Sequence, residues 1–295
     1  MMIDDITFGC GQNPHQTARF ERNENGIDIE FSANFSFNEL IALSQGLNLI
    51  SEFYDVKAAC SVKGSGICAV ALGQTVFDAV QKIMDSNPVD FMSSMIVTSS
   101  EIDSETVRFF KDSNILVSVK YTENAKKILN ESGIKYATVK TPLKDYKNYL
   151  PEDIKTTAFG TLIQSPNLSE LDKDTFKVVS KQKPTVEQVE DAVFAWKVAK
   201  YVKSQGIVIA KDLKTAAISQ GLQTASVEFA LDYSCELSKD AILASDMTVS
   251  LHDIDTASQG RIGLVVVPEA DKDIIERADK YSMVLITTQI TNTLY

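Results

Sequence analysis

The sequence predicts an α/β protein built of two tandem units with mixed, largely parallel sheets. Three observations lead there. Short apolar runs of β type alternate with segments of helical period from residue 36 to residue 140, and the alternation returns from residue 184 to residue 287. The helical segments between strands are long enough to carry the chain across a sheet, the kind of connection that joins parallel strands. A polar connector, residues 165–182, separates the two stretches, and 295 residues suggest about two domains. The expected units are residues 1–170 and 171–295.

The first 35 residues are polar, with short β-like runs TARFE and GIDIEFS around the turn-forming NENG. SFNELIALSQGLNLISEFYD reads as an amphipathic helix with Ser36 as N-cap and Glu39 at the capping-box position. KAACSVK reads as a strand ending at the turn Gly64-Ser65-Gly66, and ALGQTVFDAVQKIMDS as the following helix, stopped near Asn87-Pro88. FMSSMIVT is a buried-type strand, and DSETVRFFKD a short helix opened by Asp103. NILVSVK and IKYATVK are strands on either side of the helix TENAKKILNESG, which ends in a glycine. A polar segment, TPLKDYKNYLPEDIK, leads to a further apolar strand, FGTLIQ.

In the second half PTVEQVEDAVFAWKVAKYVKS is the longest helix signal, with Thr185 and Gln188 as a capping box. Its apolar stripe is Val189, Val193, Trp196, Ala199 and Val202, leaving Glu187, Glu190, Lys197 and Lys203 to water. GIVIA, RIGLVVVP and MVLIT follow as strands, with TASVEFALDYSCEL and DKDIIERADKYS as helices.

Composition narrows the function classes. An apolar share of 44% and a charged share of 23% are those of a soluble globular protein. Acidic residues outnumber basic ones 40 to 29, and the basic ones are scattered, so neither nucleic acid nor an anionic membrane is an expected partner. No apolar run approaches the roughly 18 residues that suggest a membrane span. The start shows neither a basic nor an apolar signal-peptide region, and the four cysteines show no CxxC spacing, so a reduced, cytoplasmic protein is expected.

Lys63 stands at the end of a predicted strand before a turn and a helix, where open α/β sheets place ligands. It precedes the glycines rather than following them, so the P-loop spacing is absent. His15 lies in an irregular polar segment and reads as a structural turn histidine. His252 with Asp253 and Asp255 supplies too few ligands for a metal site, and none is expected. Zinc-dependent deamination would need H-x-E and P-C-x-x-C, and serine hydrolysis a G-x-S-x-G elbow; the sequence has none of these. Trp196 reads as core.

Several segments, in order along the chain, resemble the AICAR transformylase family, the transformylase half of a bifunctional purine-biosynthesis enzyme. KVVSKQKPTVEQVEDAVFAWKVAKYVKSQGIVIAKD is similar to K-x-x-T-x-[KR]-x-P-T-x-x-[EQ] followed by F-[AC]-W-K-V-[AC]-K-x-V-K-S-N-A. GQNPHQTARF resembles RYGENPHQ-x-A; NPVDFMSSMIV followed by EIDSETV resembles D-P-x-S-A-F-G-G-I-I-A followed by D-x-E-T-A. FGTLIQ and AILASD resemble G-G-G-L-L-V-Q and A-x-L-A-S-D. The resemblance runs from about residue 8 to residue 288 and covers no cyclohydrolase domain.

The resemblance implies a pair of cytidine-deaminase-like subdomains and a homodimer with active sites shared between chains. It implies formyl transfer from 10-formyltetrahydrofolate, a co-substrate rather than a covalently bound cofactor, to the amine of a purine-precursor nucleotide. A Lys-His pair within V-K-H-x-N-P-C-G-V-A carries that chemistry: the histidine takes a proton, and the lysine supports charge on the formyl oxygen. Here Lys63 stands in the lysine position and Gly64 in the histidine position. Asn13, His15, Lys203 and Gln205 fall on the implied substrate-binding motifs, Gln205 where the pattern has asparagine. The A-F-G-G turn is matched by Phe91-Met92-Ser93-Ser94, the F-F-P-F run by Thr248-Val249-Ser250-Leu251, and the R-H-F-x-H tail by ITNTLY. The glycine-rich run is shortened to AAISQGLQT without its arginine. The expectation is a diverged stand-alone homologue without efficient formyl transfer. The alternatives are an active enzyme using Lys63 with relocated groups, and a purely structural dimer.

Overall fold

The computed structural model describes residues 5–111, 113–170, 173–221 and 225–294. The expected unit boundary after residue 170, the end of AAISQGLQT and the last residue of the tail lie outside them.

In chain order the first half contains β1 (Ile6–Phe8), β2 (Ala18–Phe20), β3 (Ile29–Phe31), α1 (Phe37–Ile50), β4 (Lys57–Lys63), β5 (Gly66–Gly73), α2 (Val76–Ser86), α3 (Pro88–Phe91) and β6 (Met95–Thr98). It continues through β7 (Ile115–Ser118), α4 (Glu123–Ser132), β8 (Lys135–Val139), β9 (Asp153–Thr157) and β10 (Gly160–Gln164). The second half contains β11 (Lys177–Val178), α5 (Val186–Ala199), β12 (Ile207–Lys211), β13 (Lys214–Ser219), α6 (Ser226–Ser234), β14 (Ile242–Ser245), α7 (Leu251–Gln259), β15 (Leu264–Val267), α8 (Lys272–Lys280) and β16 (Val284–Thr287).

Local chemistry accounts for the helix starts. Ser36 and Glu39 form a reciprocal capping box on α1, and Thr185 and Gln188 do the same on α5. Gly133 closes α4 with φ +67°, which glycine adopts without steric cost. Gly46 lets α1 lie directly on β6: a Cβ there would stand 2.5 Å from a Val97 methyl.

One mixed sheet of twelve strands crosses both halves, in the order β11-β16-β15-β14-β12-β13-β5-β4-β6-β7-β8-β3. The order is nearly palindromic. In each half an antiparallel hairpin, β4–β5 or β12–β13, is followed outward by three strands that are parallel to one another. The halves meet where β5 lies beside β13: Leu72 N–H donates to Leu213 O at 2.8 Å, and Val70 N–H to Thr215 Oγ1 at 3.0 Å. The sheet is therefore not largely parallel. The physical reason is that Gly66–Gly73 is a strand, whereas the sequence pattern leaves residues 67–70 unassigned and opens the helix at Ala71; a short apolar run carries no period that tells strand from helix. Gly64, at φ +58°, makes the two-residue turn that returns β4 as β5, and α2 starts only at its N-cap Thr75. β13, which the sequence pattern assigns to no element, likewise returns beside β12. β14 and α7 also went unread, and DSETVRFFKD yields only a 3-10 turn, Thr106–Phe109, with Asp112 outside the described residues.

Alternate strand residues feed opposite faces. Cys60, Val97, Val208 and Ala244 join the core under α1 and α5, which is continuous across the halves. Ile96 and Leu116 pack under α2 and α4, and Ile209 and Leu243 under α6, α7 and α8. Trp196 is buried, as its neighbours predict. α5 is buried more fully than one stripe allows: Asp191, Phe194 and Lys200 are also buried. Lys197, expected to face water, donates to Glu52 O at 3.2 Å and lies over the Phe53 ring. FGTLIQ is strand β10, paired only with β9 in a separate exposed ribbon.

Candidate functional site

The β4–β5 hairpin places Lys63 at its tip, beside the join of the two halves. Lys63 Nζ lies 3.1 Å from Asp90 Oδ1. Asp90 is fixed in turn by buried Asn87, the N-cap of α3: Asn87 Nδ2 donates to Asp90 Oδ2 at 3.0 Å, and Asp90 N–H donates to Asn87 Oδ1 at 3.2 Å. Pro88 at the first helical position fits this short cap, since its missing N–H would have no partner there.

The second half supplies the opposite wall. Gln220 follows β13, and its amide nitrogen would stand 2.8 Å from a Cβ on Gly66, so glycine is what allows the close approach. Tyr233 comes from α6. Together with Lys63, Cys68, Asn87 and Asp90 they line a cleft of about 310 Å³. Lys203 reaches the same hairpin tip, donating from Nζ to Ser65 Oγ at 2.9 Å, while its backbone N–H donates to Gln220 Oε1 at 3.4 Å.

The turn that carries Lys203 and Gln205 is anchored from below. Asp246, wholly buried at the end of β14, accepts from Gly206 N–H at 2.7 Å and from the Ser204 hydroxyl. Burial pushes the Asp246 carboxyl up, against the pull of these two donors. Ser204 also accepts from Leu294 N–H at 3.0 Å, which ties the C-terminal segment to the turn. Gln205 accepts on its carbonyl from Ser226 Oγ at 3.3 Å.

Among the described residues no histidine lines the cleft. Burial, with Asp90 adding to it and Lys63 opposing, pushes the Cys68 thiol up to about 11. Burial, then Asp90 and Cys68, raises the Tyr233 phenol too. Gly64 occupies open space: a Cβ there would meet nothing within 4 Å. The two histidines are elsewhere. His15 is exposed in the β1–β2 connection, and His252 on α7 pairs with Glu228 at 2.9 Å. Among the described residues no group of His, Cys, Asp and Glu is placed to hold a metal.

The structure thus brings Lys63, Lys203 and the turn of Gln205 to one junction. It does not bring Asn13 or His15 there within the chain. Asn13 donates from Nδ2 to Gln16 Oε1 at 2.8 Å inside its own turn, and neither residue lines the cleft. Sequence reading missed Asp90, Gln220, Tyr233 and Asp246. Asp90 had a usable signal in the Asn-Pro-x-Asp cap and Asp246 in AILASD; Gln220 and Tyr233 reach the cleft from the second half, beside the β5–β13 join.

A model of the AICARFT/IMPCHase bienzyme family matches residues 4–232. The chain is 30% identical to the bifunctional purine biosynthesis protein PurH of Acetivibrio thermocellus, over 97% of this chain and 58% of that protein. It is 31% identical to PurH of a Thermoanaerobacter species, over 95% and 57%, and 27% identical to PurH of Anoxybacillus flavithermus, again over 95% and 57%. The chain spans a little over half the length of these relatives, and it belongs to the AICARFT/IMPCHase bienzyme family.

Proposed function

We propose that within this family the chain is a diverged transformylase-type protein whose Lys63 cleft binds a purine-precursor nucleotide or a folate without efficient formyl transfer. The observation that carries the reading is the open space at Gly64, next to a lysine that is still held at the cleft. Formyl transfer to a weakly nucleophilic aromatic amine needs a base beside the amine and a cation beside the formyl oxygen. Lys63 supplies the cation. With glycine at position 64, and with the Cys68 thiol and Tyr233 phenol both raised, the imidazole base of the pattern is missing beside Lys63, and the Asp90 carboxylate is engaged by Lys63 and Asn87. Loss of a general base alone costs about 10²–10⁴-fold in rate.

The reading includes two cytidine-deaminase-like halves with a boundary near residue 170, supported by the repeated arrangement of a hairpin beside three parallel strands. It also includes a homodimer, in which Asn13 and His15 of one copy complete the cleft of the other. 10-Formyltetrahydrofolate would be the co-substrate of any residual turnover.

Formyl transfer assayed with 10-formyltetrahydrofolate and 5-aminoimidazole-4-carboxamide ribonucleotide tests the catalytic part. Turnover at an ordinary enzymatic rate that is lost in Lys63→Ala would overturn it in favour of an active enzyme with relocated groups. Thermal shift tests the binding part: a true ligand at 100 times its Kd adds about 2.7 kcal/mol of stability. No shift with any nucleotide or folate would leave a structural dimer. A monomer at micromolar concentration in sedimentation would sink the dimer.

A further inference from the structure

We infer that Asp191, on α5, is a positioning residue for the Lys63 cleft. By holding the turn between β12 and β13 it fixes the closed end of the seam between the two halves, and the cleft is the open end of that seam. The inference rests on the reading of the cleft as a ligand site for its consequence, and on the geometry alone for its test.

The turn does not hold itself. Asp212 and Leu213 make the two-residue connection between Lys211 and Lys214, at φ +54° and +55°. Turns with two left-handed residues ordinarily carry Asn-Gly or Asp-Gly, and a leucine there is strained. Asp191 supplies what the turn lacks: its Oδ1 accepts from Leu213 N–H at 2.7 Å and its Oδ2 from Asp212 N–H at 3.0 Å. Two neighbouring N–H groups thus converge on one buried carboxylate, and such charge-assisted bonds are stronger than neutral ones. The Leu213 side chain packs against the core under α1 and α5.

From the turn the constraint passes into the seam. Leu213 O accepts from Leu72 N–H at 2.8 Å, and Lys214 lies opposite Ala71. Thr215 Oγ1 accepts from Val70 N–H at 3.0 Å and donates to Val70 O at 3.3 Å. α2 secures the same end from the other face of the sheet, with Lys82 Nζ donating to Leu72 O at 2.9 Å and the Ser86 hydroxyl to Thr215 O. Beyond Thr215 the pairing stops: among the described residues Lys214 and Ala71 are the one strand pair between β13 and β5. The strands then fork, and Ile67 and Cys68 after β4, with Ile218 and Gln220 from the second half, line the cleft. Gln220 lies five residues past Thr215, about 16 Å at about 3.3 Å per residue, so a tilt of about 5° at the closed end moves that wall by about 1 Å.

Cys68 reports the opening, because it lines the cleft and is half-buried there. The test measures its alkylation by iodoacetamide in the full chain carrying Cys10→Ser and Cys235→Ser. These remove the two exposed thiols and leave the wholly buried Cys60 as a gauge of unfolding. Asp191→Ala should raise the Cys68 rate at least about tenfold while Cys60 stays unreacted, in line with the loss of two hydrogen bonds to a charged group. Adding Leu213→Gly should return the rate toward the parent's, because Asp-Gly adopts the turn without help. Asp191→Asn offers one acceptor oxygen for two N–H groups and should give a smaller rise; it carries the test if the alanine variant does not fold. A Cys68 rate equal to the parent's in the variants that fold, a rise accompanied by reaction of Cys60, or a rise that Leu213→Gly does not reverse overturns the inference. Absence of nucleotide and folate binding would sink the functional reading above and leave these rates unchanged.

Discussion

Two lysine–carboxylate pairs at nearly equal distance show how differently the same contact works in two parts of the molecule. Lys200 and Glu52 lie 3.0 Å apart with side chains 1% and 4% exposed, while Lys63 and Asp90 lie 3.1 Å apart with side chains 52% and 36% exposed. The buried pair crosses between the halves, Glu52 following α1 and Lys200 ending α5. Lys147 Nζ and Tyr201 Oη also donate to Glu52, at 3.0 and 2.6 Å, and Lys200 donates to Ser169 O at 2.8 Å. Burial alone would raise the Glu52 carboxyl, but Lys200, Tyr201 and Lys147 outweigh it and hold it below the ordinary carboxylate range. The pair at the cleft mouth has two fixed donors to Asp90 and water for the rest. Distance is shared; solvent is not, and solvent decides whether a pair holds the fold or tunes a site.

The comparison breaks most visibly if Lys200→Met is tolerated. The variant leaves a buried carboxylate short of its main partner, and such a loss costs about 3–5 kcal/mol. Because Lys147 and Tyr201 still donate to Glu52, the lower end of that range is expected, read from urea unfolding at pH 7. The pH dependence follows from the lowered carboxyl. The stability that Glu52 contributes is fully present above the ordinary carboxylate range, and it is lost as pH falls through the folded value. Glu52→Gln should therefore differ most from the parent near neutral pH, with the gap closing in acid. A gap of constant size from pH 7 to pH 3 would show that the charge of Glu52 is not what matters.

The same contrast explains what could be read from the sequence. Helices α1, α4, α5 and α8 announce themselves because their caps are local: Ser36 with Glu39, Thr185 with Gln188, Gly133 and Asp271 each act within a few residues. The hairpins β4–β5 and β12–β13 do not, because Ile67–Leu72 and Thr215–Ile218 are short apolar runs buried on both sides, without a period of their own. The join of the halves depends on pairing Leu72 with Leu213 and Val70 with Thr215, contacts that no local pattern specifies. The cleft inherits that limit. Lys63 and Gly64 were visible as a motif, yet the facing Gln220 and Tyr233 come from more than 150 residues further along the chain, and Asp246 acts only through the turn it supports.

A smaller effect separates backbone cost from site chemistry at the hairpin tip. Gly64→His adds an imidazole at a position where a Cβ meets nothing within 4 Å, so the first side-chain atom brings no clash. The left-handed backbone at φ +58° costs a non-glycine residue about 1 kcal/mol or somewhat more, and histidine tolerates that region better than most. The expected outcome is a modest loss in unfolding free energy together with formyl-transfer turnover raised at least about tenfold, within the range a general base supplies. Unchanged turnover in a folded variant would mean that losses elsewhere in the cleft, and not the missing base, limit the reaction.

The smallest stability effect is expected for Lys63→Ala, and it makes the contrast with Lys200 sharpest. An exposed ion pair contributes about 0.2–1 kcal/mol, and here the lysine head group is half in water. Asp90 keeps its contact with Asn87 in the variant, so α3 and the cleft wall remain in place. Urea unfolding should thus move by less than about 1 kcal/mol, several-fold less than for Lys200→Met. The ligand-dependent thermal shift should nonetheless vanish, since Lys63 is the cation the proposed function assigns to the ligand, and Lys203 at the same tip remains engaged with Ser65. A large loss of stability with the ligand shift intact would reverse the assignment, making the cleft-mouth pair structural and placing the ligand somewhere other than Lys63.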